Sequence, residues 1–280
     1  MHCLRILPVA LLLLSALPVS PATSQKAGKS RRSSKTCSGS QPFAYDNGPA
    51  GQGTWCGPCN DGSVELQAPI NISSDVPASA QPPIEFLNYD TPTELNIYPN
   101  NPYNLKIDYS AGVSAIKIGN DTFKLKEFHF HRPSEEAINN RRYPMVLHLV
   151  HERSVCPLGG PGCAAVVAIL IEETPPEQPP RQDTTALLDV LFKNFPPPEG
   201  KRGVSISVAG LLPDRFRDSG YYRYDGSLTT PPCTGDITFY LLKPRLRLSA
   251  EQIAQFERRY PSPNARDIQP LKNREIKNRK

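Results

Sequence analysis

Apolar and polar positions in this chain follow the two-residue period of a β-strand far more than the 3.6-residue period of a helix. The pattern predicts strands at Leu95–Tyr98, Leu105–Tyr109, Ala115–Ile118, Phe123–His131, Met145–His151, Ala164–Glu172, Ser205–Val208, Tyr221–Tyr224 and Ile237–Leu242. From Ala164 to Ile171 every residue is apolar, which suits a central strand covered on both faces. Two helices are predicted. Asp183 is placed to cap Thr184 to Phe195, which ends at Pro196-Pro197-Pro198. Ser249 and Gln252 form a capping box for a helix reaching about Tyr260. With 31 Pro and 18 Gly in 280 residues, the punctuation is too dense for a helical bundle. The expected fold is predominantly β: a large, twisted, mostly antiparallel central sheet with a few peripheral helices, in a single domain.

Strand parity then sorts the histidines. Of five, His2 lies near the start of the chain, and the other four fall in the two strands ending at His131 and His151. Glu127, His129 and His131 share one face of their strand, and Phe128 and Phe130 point the other way. Val146, His148 and Val150 share a face, whereas His151 sides with Leu147 and Leu149. His129 and His131 can therefore reach one ion together, with a third imidazole from a paired strand. In a regular strand His148 and His151 cannot both join them. Three protein ligands and one open position is how catalytic zinc is held. A lone histidine in such a strand would be read as a core residue bonded to backbone; this clustering favours metal.

The chain ends and the cysteines set the context. Residues 1–24 read as a signal peptide: Arg5, an apolar run from Ile6 to Leu17 too short to span a bilayer, then Ala22-Thr23-Ser24. Residues 25–42 form a basic Ser/Lys/Arg leader expected to be disordered, and residues 43–280 the domain. No later stretch is long enough to span a membrane, so the expected location is secreted or periplasmic. In that oxidising setting the six remaining cysteines suggest disulfides. Cys156 and Cys163 bracket a tight Gly/Pro loop that a local bridge would close. Cys56-Gly57-Pro58-Cys59 has the spacing of a redox motif, but no βαβ pattern surrounds it. The net charge of +5 gathers at both ends of the mature chain, without the basic, aromatic-interleaved face of a nucleic-acid binder.

Five segments carry a resemblance: Gln-Ala-Pro-Ile-Asn-Ile (67–72), Glu-Phe-His-Phe-His-Arg-Pro-Ser-Glu (127–135), Tyr-Pro-Met-Val-Leu-His-Leu-Val-His (143–151), Tyr-Arg-Tyr-Asp-Gly-Ser-Leu-Thr-Thr-Pro-Pro-Cys-Thr (222–234) and Gln-Pro-Leu-Lys-Asn-Arg (269–274). Together they closely resemble the α-class carbonic anhydrases, in the family's order, from about Phe43 to Arg274. The resemblance implies a zinc lyase that reversibly hydrates carbon dioxide to bicarbonate and a proton. It implies Zn2+ held by His129, His131 and His148, and hydroxide on the zinc oriented by Thr229, whose own proton goes to Glu135. It implies an apolar substrate wall of Val150, Val166 and Leu228, with Thr230 also at the substrate, and inhibition by sulfonamides or anions. His151 becomes a structural histidine. Cys233 pairs with Cys59 in preference to Cys56, and Ala68-Pro69 and Pro231-Pro232 match the family's cis junctions.

The chain also departs from the family. Val146 stands where a glutamate usually accepts the far N–H of the third imidazole. Loss of such a partner lowers metal affinity or activity by about 10–100-fold. Glu127 stands where a glutamine is usual, so the expectation is that the anionic group has moved to the first imidazole. Tyr103 occupies the proton-shuttle position; a phenol titrating near about 10 relays protons poorly from a zinc water near about 7. Glu136 replaces a common histidine, Gly235 a common glutamate and Phe239 a usual tryptophan. Two other readings compete with the lyase: a zinc-retaining but catalytically weakened binding or structural module, and a disulfide oxidoreductase using Cys56 and Cys59.

Overall fold

The computed structural model describes residues 43–97, 105–109, 111–153, 156, 162–193, 202–218 and 220–280. The segments at 1–24 and 25–42, and Tyr103, lie outside them. The apolar strands pair into one nine-stranded sheet. Across it run Lys277–Arg279, Tyr221–Gly226, Ile237–Leu248, Ala164–Glu173, Met145–Glu152, Asp121–His131, Ala115–Ile118 and Ile84–Leu87, with Lys106–Asp108 also on Asp121–His131. The pairing is antiparallel except between Ala164–Glu173 and Ile237–Leu248, which run parallel. Ala164–Ile171 is fully buried at the centre, as its unbroken apolar run requires.

Each central strand divides its side chains between two cores. Phe128, Phe130, Leu147, Leu149, Val167 and Ile169 face the helices, meeting Leu187, Leu188, Leu191 and Phe256. Val146, Val150, Val166, Ala168, Tyr224 and Phe239 form the other core. Truncating a fully buried residue such as Phe128 to alanine would remove about 3–5 kcal/mol. The histidines of the central strands ride on this same alternation, so the packing that fixes the register also fixes where the imidazoles point.

The helices are Gln182–Lys193 and Ala250–Arg259. In the first, Asp183 accepts the Thr184 N–H at 2.9 Å from inside the first turn. In the second, Ser249 and Gln252 complete the capping box.

Sequence pattern misplaced one strand and missed several short ones, among them the two-residue strands Asn71–Ile72, Ala137–Ile138 and Arg141–Arg142. The segment expected at Ser205–Val208 is a strand at Arg202–Ile206, paired with Thr93–Ile97 in a separate two-stranded sheet. Ser207 ends it by capping a 3-10 turn at Val208–Leu211, its hydroxyl accepting the Ala209 N–H. Ile84–Leu87 and Lys277–Arg279 were not anticipated: the first is short and follows prolines, the second is a polar edge strand.

Candidate metal centre

The register of the two histidine strands builds the site. His129 lies directly opposite His148, and His131 opposite Val146. His129 and His131 project from one face as i, i+2 neighbours, and His148 meets them from across the ladder. The three ring centroids are 4.9, 5.2 and 5.0 Å apart, and one nitrogen from each ring lies within 4.8 Å of the others. Among the described residues this is the one His/Cys/Asp/Glu cluster able to hold a metal. His151 turns away, as parity requires. Its Nε2 pairs with the Tyr89 hydroxyl at 2.6 Å and its Nδ1 with the Ala165 carbonyl at 3.3 Å.

Each clustered imidazole has its far nitrogen occupied by a different partner. His129 Nδ1 pairs with Glu127 Oε2 at 2.9 Å, and Glu127 also meets Lys106 Nζ at 3.4 Å. His131 Nδ1 donates to the Asn264 carbonyl at 2.7 Å. His148 Nε2 pairs with Glu136 Oε2 at 3.3 Å. The expectation that Val146 leaves the third imidazole without an acceptor is thus corrected: the carboxylate arrives from residue 136, so Glu127 is an additional anion and not a relocated one. Glu136 also accepts from the Tyr224 hydroxyl at 3.1 Å, so the residue that replaces the common histidine is itself fully hydrogen-bonded.

The near nitrogens converge on a buried spot. His131 Nε2 and Glu135 Oε2 lie 3.3 Å apart yet neither has a hydrogen-bond partner, and His148 Nδ1 is 3.9 Å from the same oxygen. Orphaned buried polar atoms are rare in folded proteins. Three imidazole nitrogens with one side open suit a zinc-type ion. Burial lowers the pKa of His129 and lowers that of His131 well below its usual value, which keeps both in the neutral, ligating form. Burial also acts on His148, but Glu136 and Glu135 more than offset it and raise its pKa. For Glu127, burial is outweighed by His129 and Lys106, which lower its pKa.

Glu135 and Thr229 meet beside this cluster. Burial pushes the Glu135 carboxyl up to about 7, opposed by His148, the Arg266 amide and the Thr229 hydroxyl. The Arg266 N–H donates to Glu135 Oε1 at 2.8 Å. Thr229 sits in the loop after Tyr221–Gly226, which is closed by Leu228 N to Thr234 O and Cys233 N to Thr230 O, both 2.8 Å. That loop contains the cis Pro231-Pro232 bond; Ala68-Pro69 and Arg132-Pro133 are also cis. Cys233 is bonded to Cys59, and Cys156 to Cys163. Cys56 is itself in a disulfide, so Cys56 and Cys59 are not a dithiol pair, which removes the oxidoreductase reading.

A cavity of about 310 Å³ opens onto the cluster. Val150 and Val166 are cross-strand partners, Val166 pairs in turn with Phe239, and with Leu228 they form one apolar wall. Thr229 and Thr230 complete that side. Tyr45, Lys106 and Glu152 also line the cavity, and sequence reasoning did not single them out. It also missed Asn264 and Arg266. Asn264 Nδ2 donates to the Phe130 carbonyl at 3.0 Å, and Arg266 Nη1 to Gln67 Oε1 and the Ala68 carbonyl at 2.7 Å each. The available signal was their nearness to the 269–274 motif. At Gly235 a Cβ would lie 2.9 Å from Val64 Cγ1, so the glutamate usual there would require Val64 to move.

A family model for eukaryotic-type carbonic anhydrase matches residues 50–280. The carbonic anhydrase of Neisseria gonorrhoeae is 33% identical over 213 residues, covering 75% of this chain and 76% of that protein. Alpha carbonic anhydrase 3 of Arabidopsis thaliana is 30% identical over 219 residues, covering 76% and 74%. The structure of the α-carbonic anhydrase of Thermovibrio ammonificans, in complex with the inhibitor sulfanilamide, matches with a TM-score of 0.69 at 28% identity, over 84% of this chain and 98% of that one. The chain belongs to the α-carbonic anhydrase family of enzymes.

Proposed function

We propose that this protein is a zinc-dependent carbonic anhydrase that reversibly hydrates carbon dioxide to bicarbonate and a proton. The observation that carries this reading is the convergence of three imidazole nitrogens whose opposite nitrogens are all engaged elsewhere. His129, His131 and His148 would hold the ion. Zinc, when bound, supplies Lewis-acid activation that brings the pKa of a water to about 7, a value belonging to carbonic anhydrases in general.

The remaining roles fall to the chain itself. Thr229 donates a hydrogen bond from its hydroxyl to Glu135, so its oxygen can only accept from the incoming nucleophile, which selects one orientation of it. Val150, Val166 and Leu228 offer an apolar surface to a neutral substrate that makes few hydrogen bonds. Thr230 lines the same cavity at the substrate. Glu127 fixes the His129 ring, with Lys106 balancing its charge. Sulfonamides and small anions are the inhibitors this site should take, and the sulfanilamide bound by the Thermovibrio relative supports that class.

The Cys59–Cys233 and Cys156–Cys163 disulfides support export to an oxidising compartment, in keeping with the signal-like residues 1–24. Among the described residues no helix is long and apolar enough to cross a membrane. The test is stopped-flow carbon dioxide hydration on metal-quantified protein at several buffer concentrations. The expected result is zinc-dependent, sulfonamide-sensitive turnover that rises with buffer, because Tyr103 is a poor proton relay. Bound zinc with no hydration would point instead to a binding or structural module.

A further inference from the structure

We propose that Glu136 is a positioning residue for the third imidazole: it engages Nε2 of His148 and thereby aims Nδ1 at the metal. The inference rests on the zinc reading above. In the family this partner usually comes from two residues before the ligand, the position held here by Val146. That side chain is fully buried in an apolar cluster and offers no acceptor. Glu136 reaches the same ring from another part of the fold. The chain has lost one glutamate at 146 and gained one at 136, so the count of buried carboxylates at His148 is preserved.

The surroundings show a built arrangement. Glu136 is fully buried, and a buried carboxylate is strongly unfavourable unless paired. Both of its oxygens are engaged, Oε2 by His148 and Oε1 by the Tyr224 hydroxyl. Its backbone is held as well. The Ser134 hydroxyl donates to the Glu136 carbonyl at 2.7 Å and accepts the Tyr143 N–H at 2.8 Å. Tyr224 stacks on Phe239 at 4.8 Å, and Phe239 meets the His148 ring edge-on at 6.0 Å. Consecutive glutamates therefore address opposite nitrogens of one imidazole: Glu135 lies 3.9 Å from Nδ1 and Glu136 lies 3.3 Å from Nε2. A carboxylate on the far nitrogen fixes the tautomer and raises the basicity of the ligating nitrogen.

A purely structural role, a core hydrogen bond to Tyr224, predicts something different. The experiment compares wild type, Glu136→Gln and the double variant Glu136→His with Val146→Glu. For each, the zinc dissociation constant is measured by chelator competition and the thermal midpoint of the metal-free protein by circular dichroism. Glu136→Gln should weaken zinc by about 10–100-fold. The double variant should recover wild-type affinity, because the carboxylate returns from residue 146. Unchanged zinc affinity in Glu136→Gln overturns the proposal, and so does a double variant that binds no better than the single one. If Glu136→Gln does not fold, the double variant is judged against wild type, and zinc affinity about 10-fold or more below wild type overturns the proposal. Absence of zinc binding by wild type would overturn the metal reading itself, whereas tight wild-type binding with an indifferent Glu136→Gln overturns only this inference.

Discussion

The Cys59–Cys233 disulfide ties the start of the domain to the loop that carries Thr229, and its removal should damage stability and catalysis separately. The bridge joins residues 174 apart in sequence. Closing a loop of that length removes about 17 cal/mol/K of denatured-chain entropy, about 5 kcal/mol at 25 °C. Folded domains are stable by only about 5–15 kcal/mol, so the loss is a large share of the total. Cys156–Cys163 is the internal control: it spans 7 residues, for which the same relation gives about 2 kcal/mol. The longer bridge also reaches the site. Cys233 is fully buried and its N–H holds the Thr230 carbonyl, while Gln67 Nε2 donates to the Cys233 carbonyl at 3.3 Å. The perturbation is Cys59→Ala with Cys233→Ala, compared with Cys156→Ala with Cys163→Ala. Equilibrium guanidinium unfolding measures the stability of each, and stopped-flow hydration measures kcat/KM on zinc-quantified protein. The first pair should lose about twice the stability of the second and should also lose kcat/KM at full zinc occupancy. Equal losses in both pairs would refute the loop-entropy argument. An unchanged kcat/KM in the first pair would show that the hydrogen bonds of the 228–234 loop suffice to place Thr229.

Two further outcomes follow from residues away from the metal cluster. Burial pushes the pKa of His151 down to about 3, so between its usual value near 6.5 and about 3 the unfolded chain binds a proton that the folded chain refuses. Its contribution is therefore intact above about pH 6.5 and falls with acidification, by roughly 2 kcal/mol at pH 5. Denaturant unfolding at pH 7 and pH 5 should show a steeper loss for wild type than for His151→Gln, and identical slopes would contradict this. Ser249→Ala removes the hydroxyl that accepts the Gln252 N–H at 3.2 Å and should lower the unfolding free energy by about 1 kcal/mol with hydration unaffected. A change well below that value would mean the Ala250–Arg259 helix is held by its packing alone.

The parts of this site legible in the sequence are those whose geometry is local. His129 and His131 are two residues apart on one strand, and a strand's pleat places such residues on one face whatever the rest of the fold does. The same rule put Glu127 beside His129 and removed His151 from the ligand set. The central strand from Ala164 to Ile171 was legible because unbroken apolar sequence has few alternatives, and the Ser249 helix because its cap is a four-residue signature. The strand at Arg202–Ile206 was misplaced for the converse reason: one serine side chain competed with the ladder and moved the boundary.

What the sequence hid is held together by long-range contact. Asn264 and Arg266 act on His131 and Glu135 from more than 130 positions away, and apart from the nearby 269–274 motif nothing marks them as part of a metal centre. Glu136 is the sharper case. Position by position, Val146 reads as a lost partner and Glu136 as a lost histidine, two separate defects. Folding places both next to one imidazole, where the second compensates the first. A single-position reading counts a penalty twice when two departures share a neighbour, because coupled sites are not additive. The expected 10–100-fold weakening therefore belongs to Glu136→Gln and not to the native chain. Substituting Val146→Glu alone, which a position-by-position comparison would offer as a repair, should instead bring two carboxylates to one nitrogen. The like charges would repel in a buried setting, raising the pKa of one of the pair and lowering stability.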